Sequence, residues 1–445
     1  MLRTGATVIV VWCSTSLAGA NPHSLVPSGG DLGNAGNFSV TYEYALDKTI
    51  ISRERVGIVG DGPVGAIPKR TDLLFNQYSH TITPRVDLGV FPDTWLSVAL
   101  PVIVQQAREL RLADGVTRAD STTLQDGLLP TDGFDARDPG TALGDDLVFR
   151  GANRSGLTQV HLGLGFAPMN QRRDPTKPTW KLGAEVRLAI GKTMDFDREK
   201  IADRTGVSSG VHELRLWTTV AKKFGRFEPW VELFWQAPIA TRDGALFKEP
   251  GFGATNTTLG QVAGGSFGLE AYAVDDPING NRISADLGAR IVSHFEGRGY
   301  SEMWEVFAFA GDSRVTGNPL MLDADPTETG LQGLSHPGIT NIENHLETAM
   351  RMALRAQLGP HVHLAAIVDV AWKTDHAITF ADAGVDLPVC NGTSAQCEDD
   401  DNDVVNQNTG EVNPLHAPKV DLAGHRYRAE DSLSVVIGVQ GRVVF

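Results

Sequence analysis

The chain has 445 residues, a formal net charge of −15 and 48 glycines. That length suits two or three soluble domains or one large barrel with long loops, and the acidic balance argues against general nucleic-acid binding. Beyond the N-terminus no run of ~20 apolar residues occurs, which excludes a helical membrane protein but not a barrel, because half of each barrel strand faces a polar lumen.

Taken in order, Arg3 opens a short positive stretch, Ala6 to Trp12 is apolar, and Ala18-Gly19-Ala20 is a small-residue cleavage site. Residues 1–20 therefore read as an export signal, with the mature chain starting at Asn21. A lipoprotein reading of Cys13 is disfavoured by Trp12 directly before it, where processing prefers a small residue. Leader removal leaves only Cys390 and Cys397. An even count in an oxidising compartment predicts that they are bonded. Residues 21–36, rich in Gly, Pro, Ser and Asn, read as a periplasmic lead-in.

From residue 37 the chain alternates with period two. Phe38, Val40, Tyr42, Tyr44 and Leu46 stand opposite Ser39, Thr41, Glu43 and Ala45 in the first predicted strand. The second sets Ile82, Val86, Leu88 and Val90 against Thr81, Thr83, Arg85 and Asp87. After a tight turn at Pro92-Asp93-Thr94, Leu96, Val98, Leu100, Val102 and Val104 carry the third. This hairpin, from Arg85 to Pro101, resembles one that recurs in outer-membrane proteins of the phenol meta-pathway transporter type and related hydrophobic-compound porins. In that pattern an apolar-Gly-apolar strand end meets an Asp-containing turn, then an alternating strand closed by Pro. The resemblance spans about seventeen residues. It implies a barrel and a hydrophobic or aromatic solute.

Six further alternating segments follow, centred on 160–166, 180–190, 214–220, 227–235, 267–273 and 283–291. Residues 301–310 fit either strand or helix. So do residues 342–358, whose Ala, Met, Leu and Arg are good helix formers. The 350–358 alternation, joined by Gly359-Pro360 to a strand over 362–372, favours a strand there and an external loop over 296–341. The last segment, Leu433 to Phe445, alternates and ends on a bare aromatic, as bacterial outer-membrane barrels commonly do; Phe445 looks like their assembly signal. No lipid-crossing sheet can keep an open edge, so the last strand must pair with the first. The expected fold is all-β: a closed antiparallel transmembrane barrel of about 12 strands over 37–445, in the outer membrane. Short turns would be periplasmic. Long loops at 48–72, 108–156, 192–210, 238–262, 296–341 and 375–430 would lie outside.

Charge on the lipid side would cost ~2–4 kcal/mol per basic residue at mid-membrane. Glu185, Arg187, Glu213, Arg215, Glu228, Glu232, Asp286, Arg290, Arg351, Arg355, Asp369 and Lys373 are therefore expected to line the lumen. Such a face makes either a selective polar pore or a salt-bridged interior that packs a narrow barrel. Tyr42, Tyr44, Trp95, Trp180, Trp235 and Trp372 read as an interfacial girdle. Trp217 and Trp230 point inward, as lumen packing or as ligand-stacking rings.

His361 and His363 have one-face spacing but no third ligand in view. His and Ser are scattered, with no Ser/His/Asp-type set, so no enzyme is expected. The run Glu398, Asp399, Asp400, Asp401, Asn402 and Asp403 lacks the Gly and the Glu spacing of an EF-hand. It reads as a solvated acidic loop, with loop-bound calcium as the alternative; no other cofactor is expected. The expected partners are membrane lipid, barrel-assembly machinery and small solutes. The function expected is a porin-like or transporter-like channel. Its rivals are a non-conducting structural or adhesive barrel acting through its loops, and a barrel hydrolase.

Overall fold

A computed structural model of the protein describes residues 23–31, 34–55, 67–248, 258–276, 278–312, 320, 322–323, 333–380 and 419–445. Twelve strands form the wall. They are β1 (Gly36–Glu54), β2 (Lys69–Phe91), β3 (Thr94–Ala99, resumed as Val102–Leu112), β4 (Arg154–Leu157, resumed as Val160–Met169), β5 (Thr179–Leu188) and β6 (Val211–Ala221). The remainder are β7 (Phe227–Thr241), β8 (Val262–Asp276), β9 (Asn281–His294), β10 (His345–Leu358), β11 (Val362–Lys373) and β12 (Tyr427–Val444). Each pairs antiparallel with the next, and β12 pairs with β1 from Asn37↔Val444 to Arg53↔Tyr427. The result is a closed antiparallel barrel of 12 strands.

Two local features sharpen the sequence reading. Pro101 interrupts the third strand, which alternation carries from Leu96 to Val104. It carries no N–H for the ladder, so β3 bulges there and resumes, with the Pro101 carbonyl accepting from the Thr158 amide at 3.1 Å. Residues 301–310, open between strand and helix in the sequence, hold a short helix α2 (Trp304–Ala310), and the tenth strand is β10.

The outward face is apolar and bare. Leu287, Leu354 and Met350 are 59%, 59% and 56% exposed, and Leu164, Phe267, Leu233 and Val439 join them in a continuous belt. Soluble monomers rarely leave such a surface uncovered, and it matches the lipid-facing band of a membrane barrel. At one end of the barrel the connections are short. Asp93 (φ 55°) and Gly359 (φ 66°) take left-handed conformations in two of these turns, and at 359 glycine removes the β-carbon penalty. The opposite end carries the long connections. Among the described residues no helix is long and apolar enough to cross a membrane.

The largest apolar core lies at the long-loop end. There the inward faces switch from polar to apolar at Ile51, Leu73, Phe75, Leu110 and Tyr427. Leu124, Leu128 and Leu129, in and after a one-turn helix α1 (Thr122–Gln125), pack on them with Phe307 and Phe309 of α2. Together these form a plug. Arg154 at the start of β4 ties it down: its guanidinium meets Glu305 at 2.5 Å and the carbonyls of Asp195, Arg204 and Gly206 at 2.9–3.1 Å.

Candidate functional site: the barrel lumen

Below the plug the inward faces are polar. All twelve side chains singled out by alternation stand on the inner wall, most of them buried. Arg187 meets Glu185 at 2.8 Å and donates to Gln236 at 2.9 Å. Gln236 and Gln159 both donate to Glu213 at 2.7 Å. Arg215 lies 3.4 Å from Glu232. Arg290 bridges Glu347 at 2.9 Å and Asp369 at 3.2 Å. Arg355 meets Asp286 at 2.8 Å and Glu270 at 3.5 Å. Glu228 is held by the Tyr272 hydroxyl at 2.6 Å rather than by a cation. Lys373 is buried on β11, opposite Glu347 of β10. Nε and Nη2 of Arg351 are buried without a hydrogen-bond partner, as are Nε and Nη1 of Arg355.

A cavity remains between these chains and the short-turn end, with about 170 Å³ in which the centre of a water-sized molecule can move. Seven basic side chains line it (Arg85, Lys181, Arg187, Arg215, Arg290, Arg351 and Arg442) against four acidic ones (Asp87, Glu185, Glu232 and Asp369). The cavity is thus basic inside a chain whose net charge is −15.

Space survives because of a pairing rule in the wall. Four large inward aromatics sit directly opposite an inward glycine: Trp95↔Gly165, Trp217↔Gly183, Trp230↔Gly268 and Phe234↔Gly264. The rings lie against those glycines. A β-carbon at Gly183 would stand 2.3 Å from the Trp217 ring, and one at Gly165 2.2 Å from Trp95. Flattened in this way, the rings line the lumen instead of crossing it, and Trp230 donates to Asp286 at 2.8 Å.

The N-terminal segment occupies part of this space. The sequence reading treats residues 21–36 as a periplasmic lead-in. In the structure, His23, Leu25 and Pro27 line the cavity, and the His23 imidazole stacks on Trp230 at 3.9 Å with an interplanar angle of 8°. Entry depends on Gly89, where a β-carbon would fall 2.4 Å from the Ser28 carbonyl carbon. Ser28 Oγ accepts from the Asp93 amide and from Arg173, which anchors the segment to two turns.

Trp95 also differs from its expected place: it is 4% exposed, inside the barrel beside Trp217, not in a girdle. Trp235 and Trp372 do face outward. Tyr44 and Tyr78 cluster outside around His80, at ring distances of 5.1 and 6.3 Å. Arg85, Asp87, Lys181 and Arg442 sat on polar strand faces in the sequence and could have joined the lumen set by the same rule. Arg154 and His23 lie outside any alternating run and had no signal. His361 is a turn residue whose Nδ1 contacts the Val444 carbonyl at 2.8 Å. Cys390, Cys397, the acidic run from Glu398 to Asp403 and the leader over 1–20 lie outside the described residues. Among the described residues no cluster of His, Cys, Asp and Glu suits a metal ion.

No protein-family model matches the chain, and no curated protein matches it. Solved structures similar to it include three barrels. One is a FadL homologue from Pseudomonas aeruginosa (9% identity, TM-score 0.35, covering 99% of this chain and 100% of that one). Another is OmpT of Vibrio cholerae, an outer membrane protein, with loop L8 deleted (8%, 0.26, 92% and 100%). The third is an anion-selective porin from Comamonas acidovorans (9%, 0.18, 92% and 100%). The chain is a β-barrel that resembles outer-membrane proteins.

Proposed function

We propose that the chain is an exported outer-membrane channel or transporter-like barrel for small molecules, and that it has no catalytic role. In this reading the short turns face the periplasm, the plug faces outside, and the assembly machinery inserts the barrel through its C-terminal strand. One observation carries the proposal: the interior is not packed shut by its ion pairs. A basic cavity persists between the plug and the short-turn end, walled by aromatic rings laid flat on glycines. Such walls suit hydrophobic or aromatic solutes better than bare ions. The plug supports a second reading, a non-conducting barrel that works through its loops, because it closes the outer mouth with an apolar core.

Planar-bilayer recording of the purified chain separates the two. A channel gives discrete conductance in potassium chloride, raised when the Arg154–Glu305 tie is removed. A barrel silent both before and after that change is the structural kind. Hydrolysis of a lipid or ester by the purified chain, abolished by mutating one Ser or His, would make it an enzyme instead.

A further inference from the structure

We propose that Trp230 and Arg351 form a binding site for a small aromatic carboxylate, and that His23 holds this site in the solute-free chain. The inference rests on the lumen reading above and gives that lumen a solute class. Trp230 lies across Gly288 of β9, and Gly288 is the direct register partner of Arg351 on β10. Trp230 and Arg351 are therefore neighbouring residues on one stretch of wall, and both line the cavity. His23 shows that the open face of Trp230 accepts a planar ring, stacked at 3.9 Å.

The present occupant fits the ring half of the site and not the charged half. His23 Nε2 is buried with no hydrogen-bond partner, and so are Nε and Nη2 of Arg351. A cavity wall that leaves three nitrogens without a bond is incompletely satisfied. An imidazole offers Arg351 no anion. A ring bearing a carboxylate would stack on Trp230 and give the guanidinium two acceptor oxygens in the fork geometry that arginine favours. The surplus of basic over acidic groups around the cavity further favours an anion over a neutral ring or a cation. The aromatic ring and the negative charge are both required; neither alone uses the whole site.

The test is calorimetric titration of the folded, full-length chain with sodium benzoate, using acetate (charge without ring) and benzyl alcohol (ring without charge) as controls. Benzoate should bind at least about tenfold more tightly than either control, since a charge-assisted hydrogen bond or a stacked ring is each worth at least that ratio. Arg351→Gln should weaken benzoate about tenfold and leave benzyl alcohol unchanged. Arg351→Lys should restore part of the loss, which a merely misfolded variant would not do. His23→Ala should tighten benzoate severalfold by vacating the Trp230 face. The proposal is overturned if benzoate binds neither the wild type nor His23→Ala, if acetate matches benzoate, or if Arg351→Gln binds as the wild type does. Conductance is read separately. A conducting barrel indifferent to benzoate sinks this site and leaves the channel standing, whereas benzoate binding to a silent barrel does the reverse.

Discussion

At the scale of single residues, the plug depends on groups whose burial makes them expensive to disturb. Arg154 and Glu305 are 1% and 3% exposed at their side chains. Replacing Arg154 with Met strands the Glu305 carboxylate, and breaking a buried pair from one side costs about 3–5 kcal/mol. That loss falls on the plug, because the wall is held by its own ladder. Arg154→Met should therefore expose the α2 segment to protease while the folded barrel keeps its shifted mobility on unheated gels. Asp421 supplies a pH dependence in the same region. Burial pushes its carboxyl up to about 7, against the opposing charge of Arg298. A carboxyl raised above its unfolded value, ~3.9, stabilises the closed plug fully below that value. The contribution is lost as pH rises through about 7. Amide exchange in α2 should accelerate from pH 5 to pH 8 beyond its intrinsic dependence, and Asp421→Asn should remove the excess. Equal excess in the variant would show that another group controls it.

At the scale of elements, the aromatic–glycine pairs decide how much lumen is left. Gly183→Leu places a side chain where the Trp217 ring now lies. The ring must swing into the cavity or the strands must part, and overpacking of this kind costs about 1–3 kcal/mol. The expected result is a folded barrel of lower thermal stability with reduced conductance. Unchanged conductance would mean that the solute path avoids Trp217. The seam between β1 and β12 is the second sensitive element. Gly36 and Phe445 exchange both backbone hydrogen bonds, at 3.0 and 2.9 Å, as the last rung of the closure. Deleting Phe445 removes that rung and an outward aromatic together. Assembly in cells should fall sharply, read as loss of the heat-modifiable band, and a normal yield would count against any role for this residue in insertion.

At the scale of the whole molecule, two opposite charge distributions coexist. The chain is acidic overall, while its lumen cavity is lined by more cations than anions. Inside a low-dielectric wall such an excess acts over the full width of the lumen. Neutralising Arg351 and Arg355 together removes two positive charges and leaves Asp286, Glu270 and Asp369 behind. The reversal potential in a salt gradient should move toward cation preference. If it stays put, the selective step lies elsewhere, at the plug or in the loops.

Much of this architecture was legible along the chain. Period-two alternation located all twelve strands, because a wall with an apolar outer face and a polar lumen imposes opposite chemistry on adjacent residues. For the same reason the inward charged residues could be named from parity alone. Long and short connections sorted themselves by end. Alternation is a local signal, however, and it carries no information about partners. That Trp217 faces Gly183 and Trp230 faces Gly268 depends on register between strands, which the closure of the barrel sets. Arg154 ties Asp195, Arg204 and Gly206 of one loop to Glu305 of another only after those loops fold back into the mouth. His23 reaches Trp230 across roughly two hundred residues of chain, through the gap that Gly89 leaves. By itself the sequence determined the wall and the face each side chain takes, since those follow from solvent on either side of a strand. The contents of the lumen were decided by tertiary structure, since they depend on distances that exist only once the sheet has closed.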